Sequence, residues 1–153
     1  MGAIFVSVCL GISSIPPEYF QSIKQLFKCK QFLGFIGGKI NQASYFFGYS
    51  DDNLLYLDPH YNQDSIIDLN EQNLMTYIDK IVYKLPFKSL QCAFTIGFLF
   101  RNVKEFKELY VFLKFFKTDK NACFNVYFGP KKDDYNINCE EIEKNINNEE
   151  DDF

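Results

Sequence analysis

The chain has 153 residues, of which 47% are hydrophobic and 24% charged, proportions typical of one soluble domain with its own core. Aromatic residues make up 18%, yet no apolar run reaches the roughly 18 residues of a membrane-spanning helix, so a transmembrane helix is excluded. The net charge of -4 conceals an acidic tail, residues 131–153, with nine acids against three lysines. Because the chain has a single arginine, Arg101, and no basic cluster, nucleic-acid binding is excluded.

The cysteines argue against a metal site and against a disulfide framework. Their spacings are wide and irregular, without the CxxC pair that zinc sites and redox motifs use. Reduced thiols in a cytoplasmic protein are therefore predicted, with no metal and no cofactor. The five residues are Cys9, Cys29, Cys92, Cys123 and Cys139.

The N-terminal part predicts two strands separated by a helix. Ala3–Leu10 is a nearly continuous apolar run with β-branched residues, which predicts a strand buried on both faces with neighbours on both sides. A helix is expected from Pro17 to Cys29, since proline suits a first helical turn and apolar residues then recur at helical spacing. Phe32–Ile36 predicts a second strand. A turn over Gly37–Gln42 follows, because its glycine pair and polar residues interrupt regular structure.

A β-hairpin is predicted next. Ala43–Tyr49 and Leu54–Leu57 form two strands around a polar turn, and the second strand ends before Pro59. From His60 to Lys88 the sequence is polar and irregular, with at most a short helix around 71–81. This stretch carries no further prediction.

The last part predicts a strand, a helix and a strand. Cys92–Phe100 is expected to be a buried strand, and Asn102 to cap the helix that follows it. The apolar face of this helix comprises Val103, Phe106, Tyr110, Leu113 and Phe116. Ala122–Phe128 predicts a final strand. The element order indicates an α+β fold, a mostly antiparallel sheet packed with helices over residues 1–130, followed by a disordered acidic tail over residues 131–153.

His60 is the only histidine, so any chemistry that needs an imidazole must use it. It follows Asp58 and Pro59 at the end of a strand. Side chains two residues apart in an extended segment share a face at roughly 6.5–7 Å, and a bend at Pro59 would bring the carboxylate onto one ring nitrogen. That contact would fix the tautomer and free the other nitrogen to act as a base. The alternative is an ordinary surface turn, because aspartate and proline are common turn residues.

The glycine pair before Lys39 raises the question of a phosphate-binding loop. We reject that reading because the pattern requires glycine and Ser/Thr at two positions where this chain has Leu33 and Ile40. Two interpretations of residues 37–42 remain open, a flexible flap and an ordinary hairpin loop.

Two longer segments around these residues resemble the autophagin family, the papain-like cysteine proteases of autophagy. Leu33–Tyr49 carries a leucine–glycine, a glycine–glycine–lysine loop and a tyrosine–phenylalanine–x–glycine–tyrosine strand. Leu54–His60 ends in tyrosine–leucine–aspartate–proline–histidine. A weaker likeness extends over most of residues 3–116. The resemblance implies that residues 1–130 are the C-terminal part of a papain-like peptidase domain.

The resemblance also implies a thiol protease in which Asp58 and His60 match the catalytic aspartate and histidine. A loop that covers the active site until substrate enters corresponds to Lys39, Ile40, Asn41 and Gln42. The implied reactions are cleavage of a ubiquitin-like autophagy modifier after its C-terminal glycine and release of that modifier from phosphatidylethanolamine. The implied partners are the modifier and its lipidated form, so membrane contact would be peripheral and occur only through the lipidated substrate.

The chain departs from the family pattern at three places. Ile40 stands where the family's flap has proline, and Ser44 where it has histidine. The family's nucleophilic cysteine lies in a glycine–tryptophan–glycine–cysteine segment, whereas this chain contains no tryptophan. Either the chain is the C-terminal part of a longer enzyme, or it is a non-catalytic, modifier-binding fragment or pseudoenzyme. A C-terminal part should expose an apolar face that the rest of the enzyme covers.

Overall fold

An antiparallel sheet organises the described part of the chain. A computed structural model describes residues 1–127 apart from 13, 40, 63–64, 69, 71–72, 74 and 76–80. Within them the strands are β1 (Gly2–Cys9), β2 (Phe32–Lys39), β3 (Gln42–Ser50), β4 (Asn53–Leu57), β5 (Tyr83–Pro86) and β6 (Ala93–Phe100). The six strands are ordered β1-β6-β2-β3-β4-β5, and every neighbouring pair is antiparallel. The predicted α+β class is therefore confirmed.

Helices accompany the sheet in the described part of the chain. A 3-10 turn over Pro17–Tyr19 leads into α1 (Phe20–Leu26), so the predicted first helix is confirmed, although it ends at Leu26 and not at Cys29. The longer helix is α2 (Val103–Phe116), and a second 3-10 turn covers Phe87–Ser89. Neither α1 nor α2 is long and apolar enough to cross a bilayer, and the described residues contain no other helix that is.

The helices and one face of the sheet enclose a single hydrophobic core. This covered face comprises strand side chains that are almost fully buried, namely Val8, Phe35, Phe46, Leu54, Phe94, Ile96 and Phe98. Helix α1 adds Ile23 and Leu26, and α2 adds Leu109 and Phe116. Burying one such side chain contributes about 1.5–3 kcal/mol, so this layer holds the fold together.

Helix α2 begins as predicted, but the side of the helix that faces the core is rotated from the predicted apolar face. The Asn102 Oδ1 accepts a hydrogen bond from the Glu105 N–H at 2.9 Å, and a Glu105 carboxylate oxygen accepts from the Arg101 N–H at 2.7 Å. The most deeply buried residues are Leu109 and Phe116, whereas Val103 is 47% exposed. The predicted face was therefore wrong at Val103 and missed Leu109.

The opposite face of the sheet has large apolar side chains in contact with solvent. We call it the open face and define it by Phe5, Leu33, Ile36, Tyr45 and Phe47. The prediction that β1 is buried on both faces with two neighbouring strands is wrong. β1 lies at the sheet edge, pairs with β6, and alternates between partly buried and exposed residues. Its apolar sequence does not distinguish the covered face from the open one.

The β2–β3 turn is shorter than predicted. Strand β2 continues through Gly37 and Gly38 to Lys39, and β3 begins at Gln42. Asn41 takes the left-handed conformation, with φ 63°, that a tight turn requires. Gly38 has φ +141° and lies so close to the partner strand that an added Cβ would come within 2.6 Å of the Gln42 carbonyl oxygen. Glycine is therefore required at position 38.

The remaining predictions concern the β3–β4 hairpin, two further strands and the segments outside the described residues. The β3–β4 hairpin is confirmed. β5 was missed in a stretch predicted to be irregular, and residues 122–127 do not form the predicted last strand. Most of the predicted 71–81 helix, Phe128 and the tail over 131–153 lie outside the described residues. The boundary between the folded part and the tail thus stays a prediction.

Candidate functional site

Asp58 and His60 lie immediately after the end of β4. In that strand Leu54 is fully buried and Tyr56 packs against the core. Side chains two residues apart point to the same side of a strand, so Asp58 continues the row of the covered face. Pro59 then begins a turn that carries His60. The buried part of β4 therefore fixes where the carboxylate emerges.

The turn brings the two side chains into direct contact. The His60 Nδ1 lies 2.6 Å from an Asp58 carboxylate oxygen, and the His60 backbone N–H donates to the same oxygen at 3.0 Å. Both side chains remain partly in water, 42% exposed for His60 and 35% for Asp58. The hydrogen bond from the His60 side chain, aided by the backbone N–H, lowers the pKa of Asp58. The predicted contact across Pro59 is confirmed as geometry.

This contact determines which ring nitrogen is free. An ionised carboxylate can only accept, so the Nδ1 donates and carries the proton. In the neutral ring the Nε2 then has an unprotonated lone pair, and no hydrogen bond within the described part of the chain engages it. An imidazole held in this way can remove a proton from a nucleophile and later return it to a leaving group.

A cleft of about 280 Å³ opens beside the pair. It joins the end of β4 to the β2–β3 turn on one side and to the segment before β6 on the other. Its lining residues are Gly38, Gln42, Ser44, Phe46, Tyr56, Asp58, His60, Leu85, Ser89 and Gln91. A larger depression of about 470 Å³ lies beside the start of α2 and includes neither Asp58 nor His60.

The cleft brings part of the predicted flap to the predicted pair. Gln42 lines it together with Asp58 and His60, and Asn41 is exposed at the turn. Lys39 pairs with Gln42 through the two strands, and Ile40 lies outside the described residues. The opening and closing expected of a flap stays a prediction.

The described cysteines do not line this cleft. Cys29 and Cys123 are buried, and burial raises the pKa of both thiols, that of Cys123 to about 11. A thiol whose pKa is raised is a poor nucleophile near neutral pH, because the thiolate is the reactive form. Cys9 is exposed and Cys92 partly exposed, and both contact the segment Gly11–Ile12. Among the described residues, no group of three His, Cys, Asp or Glu side chains could hold a metal ion.

Several cleft residues were not anticipated from the sequence. Ser89 and Gln91 come from the stretch predicted to be irregular, and nothing in their neighbourhood resembles a motif. The alternation of Tyr83 and Leu85 around a lysine was a usable but short signal for β5, and Leu85 forms one wall. Tyr56 belongs to the predicted strand and to the motif that resembles the family, but its place in the cleft lining was not predicted.

The family model and the relatives that match this chain point in one direction. Residues 2–111 match the family model described as the Peptidase C54 catalytic domain. The chain is 35% identical over 140 residues to "Cysteine protease atg4" of Dictyostelium discoideum, which covers 92% of this chain and 18% of that protein. It is 34% identical over 135 residues to "Cysteine protease ATG4C" of Homo sapiens, which covers 85% of this chain and 30% of that protein. The chain thus spans less than a third of either relative.

Proposed function

The chain belongs to the peptidase C54 family, the autophagins, and on that premise we propose that it supplies the acid–base pair of an autophagy cysteine protease. The observation that carries the proposal is the 2.6 Å contact between the His60 Nδ1 and the Asp58 carboxylate beside an open cleft. Papain-like chemistry uses a histidine base that a hydrogen-bonded side chain orients.

In this mechanism each residue has a distinct task. The Nε2 of His60 takes the proton from a cysteine thiol, and the resulting thiolate attacks the carbonyl carbon of the glycine at the cleavage site. His60 then donates that proton to the departing amine and later activates the water that hydrolyses the thioester. Asp58 keeps the proton on the Nδ1 and stabilises the imidazolium that forms.

None of the residues that line the cleft supplies the cysteine thiol of this mechanism. By the family resemblance, it belongs to a glycine–tryptophan–glycine–cysteine segment, and these 153 residues contain no tryptophan. The proposed substrate is a ubiquitin-like autophagy modifier, cut after its C-terminal glycine and released from phosphatidylethanolamine. The setting would be the cytoplasm, with membrane contact only through the lipidated modifier.

A second candidate is a non-catalytic modifier-binding protein. The cleft itself favours this candidate, because none of the described cysteines lines it. The polar cleft side chains Gln42, Ser44 and Gln91 remain suited to hydrogen bonds with an extended peptide backbone. In this reading the family surface binds the modifier without cutting it.

A chimera separates the two candidates. The matching segment of the Dictyostelium relative is replaced by this chain, and a modifier extended past its glycine serves as substrate. We expect cleavage, and we expect His60→Ala to lower kcat by about 10⁴-fold or more while modifier binding persists. Val111→Ala, on the exposed side of α2, is the matched control and should cleave normally.

The other outcomes of this experiment decide against one candidate or both. Undiminished cleavage by the His60→Ala chimera would refute the role of His60. A chimera that binds the modifier without cutting it would support the non-catalytic candidate. If neither the chimera nor the isolated chain binds the modifier, the proposed substrate is wrong.

A further inference from the structure

A continuous row of aromatic rings crosses the covered face and ends at the residue after His60. The rings are spaced 4.9, 4.8, 5.4, 5.4 and 6.5 Å apart, centroid to centroid. Strand by strand, they run from β6 through β2, β3, β4 and β5 to the turn. In that order the row comprises Phe94, Phe35, Phe46, Tyr56, Tyr83 and Tyr61.

The outer end of the row differs from its buried end. Phe35 and Phe46 are almost fully buried, whereas Tyr61 is 58% exposed. Despite that exposure, the ring of Tyr61 lies within 15° of parallel to that of Tyr83. The two hydroxyl groups are also hydrogen-bonded to each other. Tyr61 therefore connects the turn to the edge strand β5 through both its ring and its hydroxyl.

The Asp58–His60 contact needs support of this kind. Both side chains are partly in water, and a pair of polar groups in water gains little net energy from one hydrogen bond. A turn that leaves the sheet also has freedom to separate the two groups. A ring that stacks on the sheet and adjoins His60 in sequence restricts that freedom, since aromatic pairs attract each other beyond the burial of their surfaces.

We propose that Tyr61 and Tyr83 form a latch that holds the His60 turn against β5 and so keeps the His60 Nδ1 on the Asp58 carboxylate. Both tyrosines are positioning residues, because they act on the pair and not on a substrate. The Tyr56–Tyr83 stack links the latch to the core, so the order of the buried layer extends to the site. The role of the latch in catalysis rests on the proposed function, whereas the experiment that tests the latch does not depend on it.

The single histidine allows a direct test in the chain itself. The ¹⁵N chemical shifts of the His60 ring, recorded at a pH where the ring is neutral, report which nitrogen carries the proton. In the unaltered chain we expect the Nδ1–H form to predominate. Tyr61→Ala should shift the population towards the Nε2–H form and return the lowered pKa of Asp58 towards its ordinary value.

Matched variants separate a latch from a general effect on folding. Tyr127→Ala removes a tyrosine that is also largely exposed, and it should leave the ring shifts unchanged. Tyr61→Phe and Tyr83→Phe each remove one hydroxyl of the same hydrogen bond. Adding Tyr61→Phe to Tyr83→Phe should therefore shift the tautomer no further than Tyr83→Phe does alone.

Two results would overturn the latch. If Tyr61→Ala lowers the melting temperature but leaves the tautomer unchanged, Tyr61 is structural only. If the two phenylalanine variants act independently and add, their hydroxyls do not form the bond that holds the turn. In the chimera, Tyr61→Ala should lower kcat roughly 10–100-fold with little change in KM. The NMR test needs neither thiol nor modifier, so its failure leaves the protease proposal standing.

Discussion

The covered and open faces of the sheet are built from the same strands but lie in different environments. Phe35 on the covered face is 1% exposed beneath the helices, while its neighbour Ile36 on the open face is 54% exposed. Both faces carry aromatic and aliphatic side chains, so hydrophobicity alone does not determine which is covered. The helices decide it, because α1 and α2 contribute to one core on one side.

The open face has the character of a surface that suits burial against further polypeptide. Phe5 and Leu33 approach each other over Gly97, and Tyr45 lies beside Phe47 with ring centroids 6.3 Å apart. Monomeric proteins rarely expose large contiguous apolar patches without a function for them. The structure exposes apolar side chains on this face, while the assignment of the chain to the C-terminal part of a larger peptidase domain stays a prediction.

The largest expected effect contrasts two adjacent residues of β2. Phe35→Ala should lower the free energy of unfolding by about 3–5 kcal/mol, because it removes a ring packed against Phe46 and Phe94 and leaves a cavity. Ile36→Ala should cost less than about 1 kcal/mol, since its side chain is already solvated. Urea denaturation of both variants measures the difference. Similar losses from the two would show that the open face is not exposed in solution.

Much of the fold followed from the sequence because local signals were strong. The proline start of the first helix, the Asn102 cap and the β3–β4 hairpin each depend on residues close together in the chain. The burial of β1 could not be predicted, since that depends on which elements pack on each side. The face of α2 was misjudged for the same reason, because Leu109 is buried by distant partners.

The candidate site divides in the same way. The contact of Asp58 with His60 spans two residues and was predictable from the bend at Pro59. Tyr83 lies in β5, and Gln91 lies between β5 and β6. They come close to the site because β5 pairs with β4, and no pattern in one sequence determines which strands pair. Tertiary contacts over 20 or more residues were thus the part that the sequence left open.

An intermediate effect is expected from changes confined to the open face. The double variant Phe5→Ser, Ile36→Ser should reduce the binding of a hydrophobic dye and the concentration-dependent self-association of the chain. The free energy of unfolding should change by about 1 kcal/mol or less. Val111→Ser, equally exposed but on α2, is the control and should change neither property. Dye fluorescence and sedimentation velocity test this, and an unaltered chain that stays monomeric without binding dye would contradict it.

The smallest expected effect concerns Asp58, which ends the covered row but stays in contact with water. Its pKa is lowered from 3.8 in the folded chain by the hydrogen bond from His60. A carboxyl group whose folded pKa is depressed adds stability above its unfolded pKa, and that contribution is lost as the pH falls through the folded value. The advantage of the unaltered chain over Asp58→Asn should therefore be constant near neutral pH and shrink below about pH 3.8.

Melting temperatures of the two chains between pH 2 and pH 7, roughly the range over which carboxyl groups titrate, measure this advantage. His60→Ala should shrink the same advantage, because it removes the donor that lowers the pKa of Asp58. Asp51→Asn, in the exposed β3–β4 turn, controls for the loss of one negative charge away from the pair. An advantage over Asp58→Asn that persists unchanged at pH 2 would mean that the ionised carboxylate of Asp58 is not the source of the stabilisation.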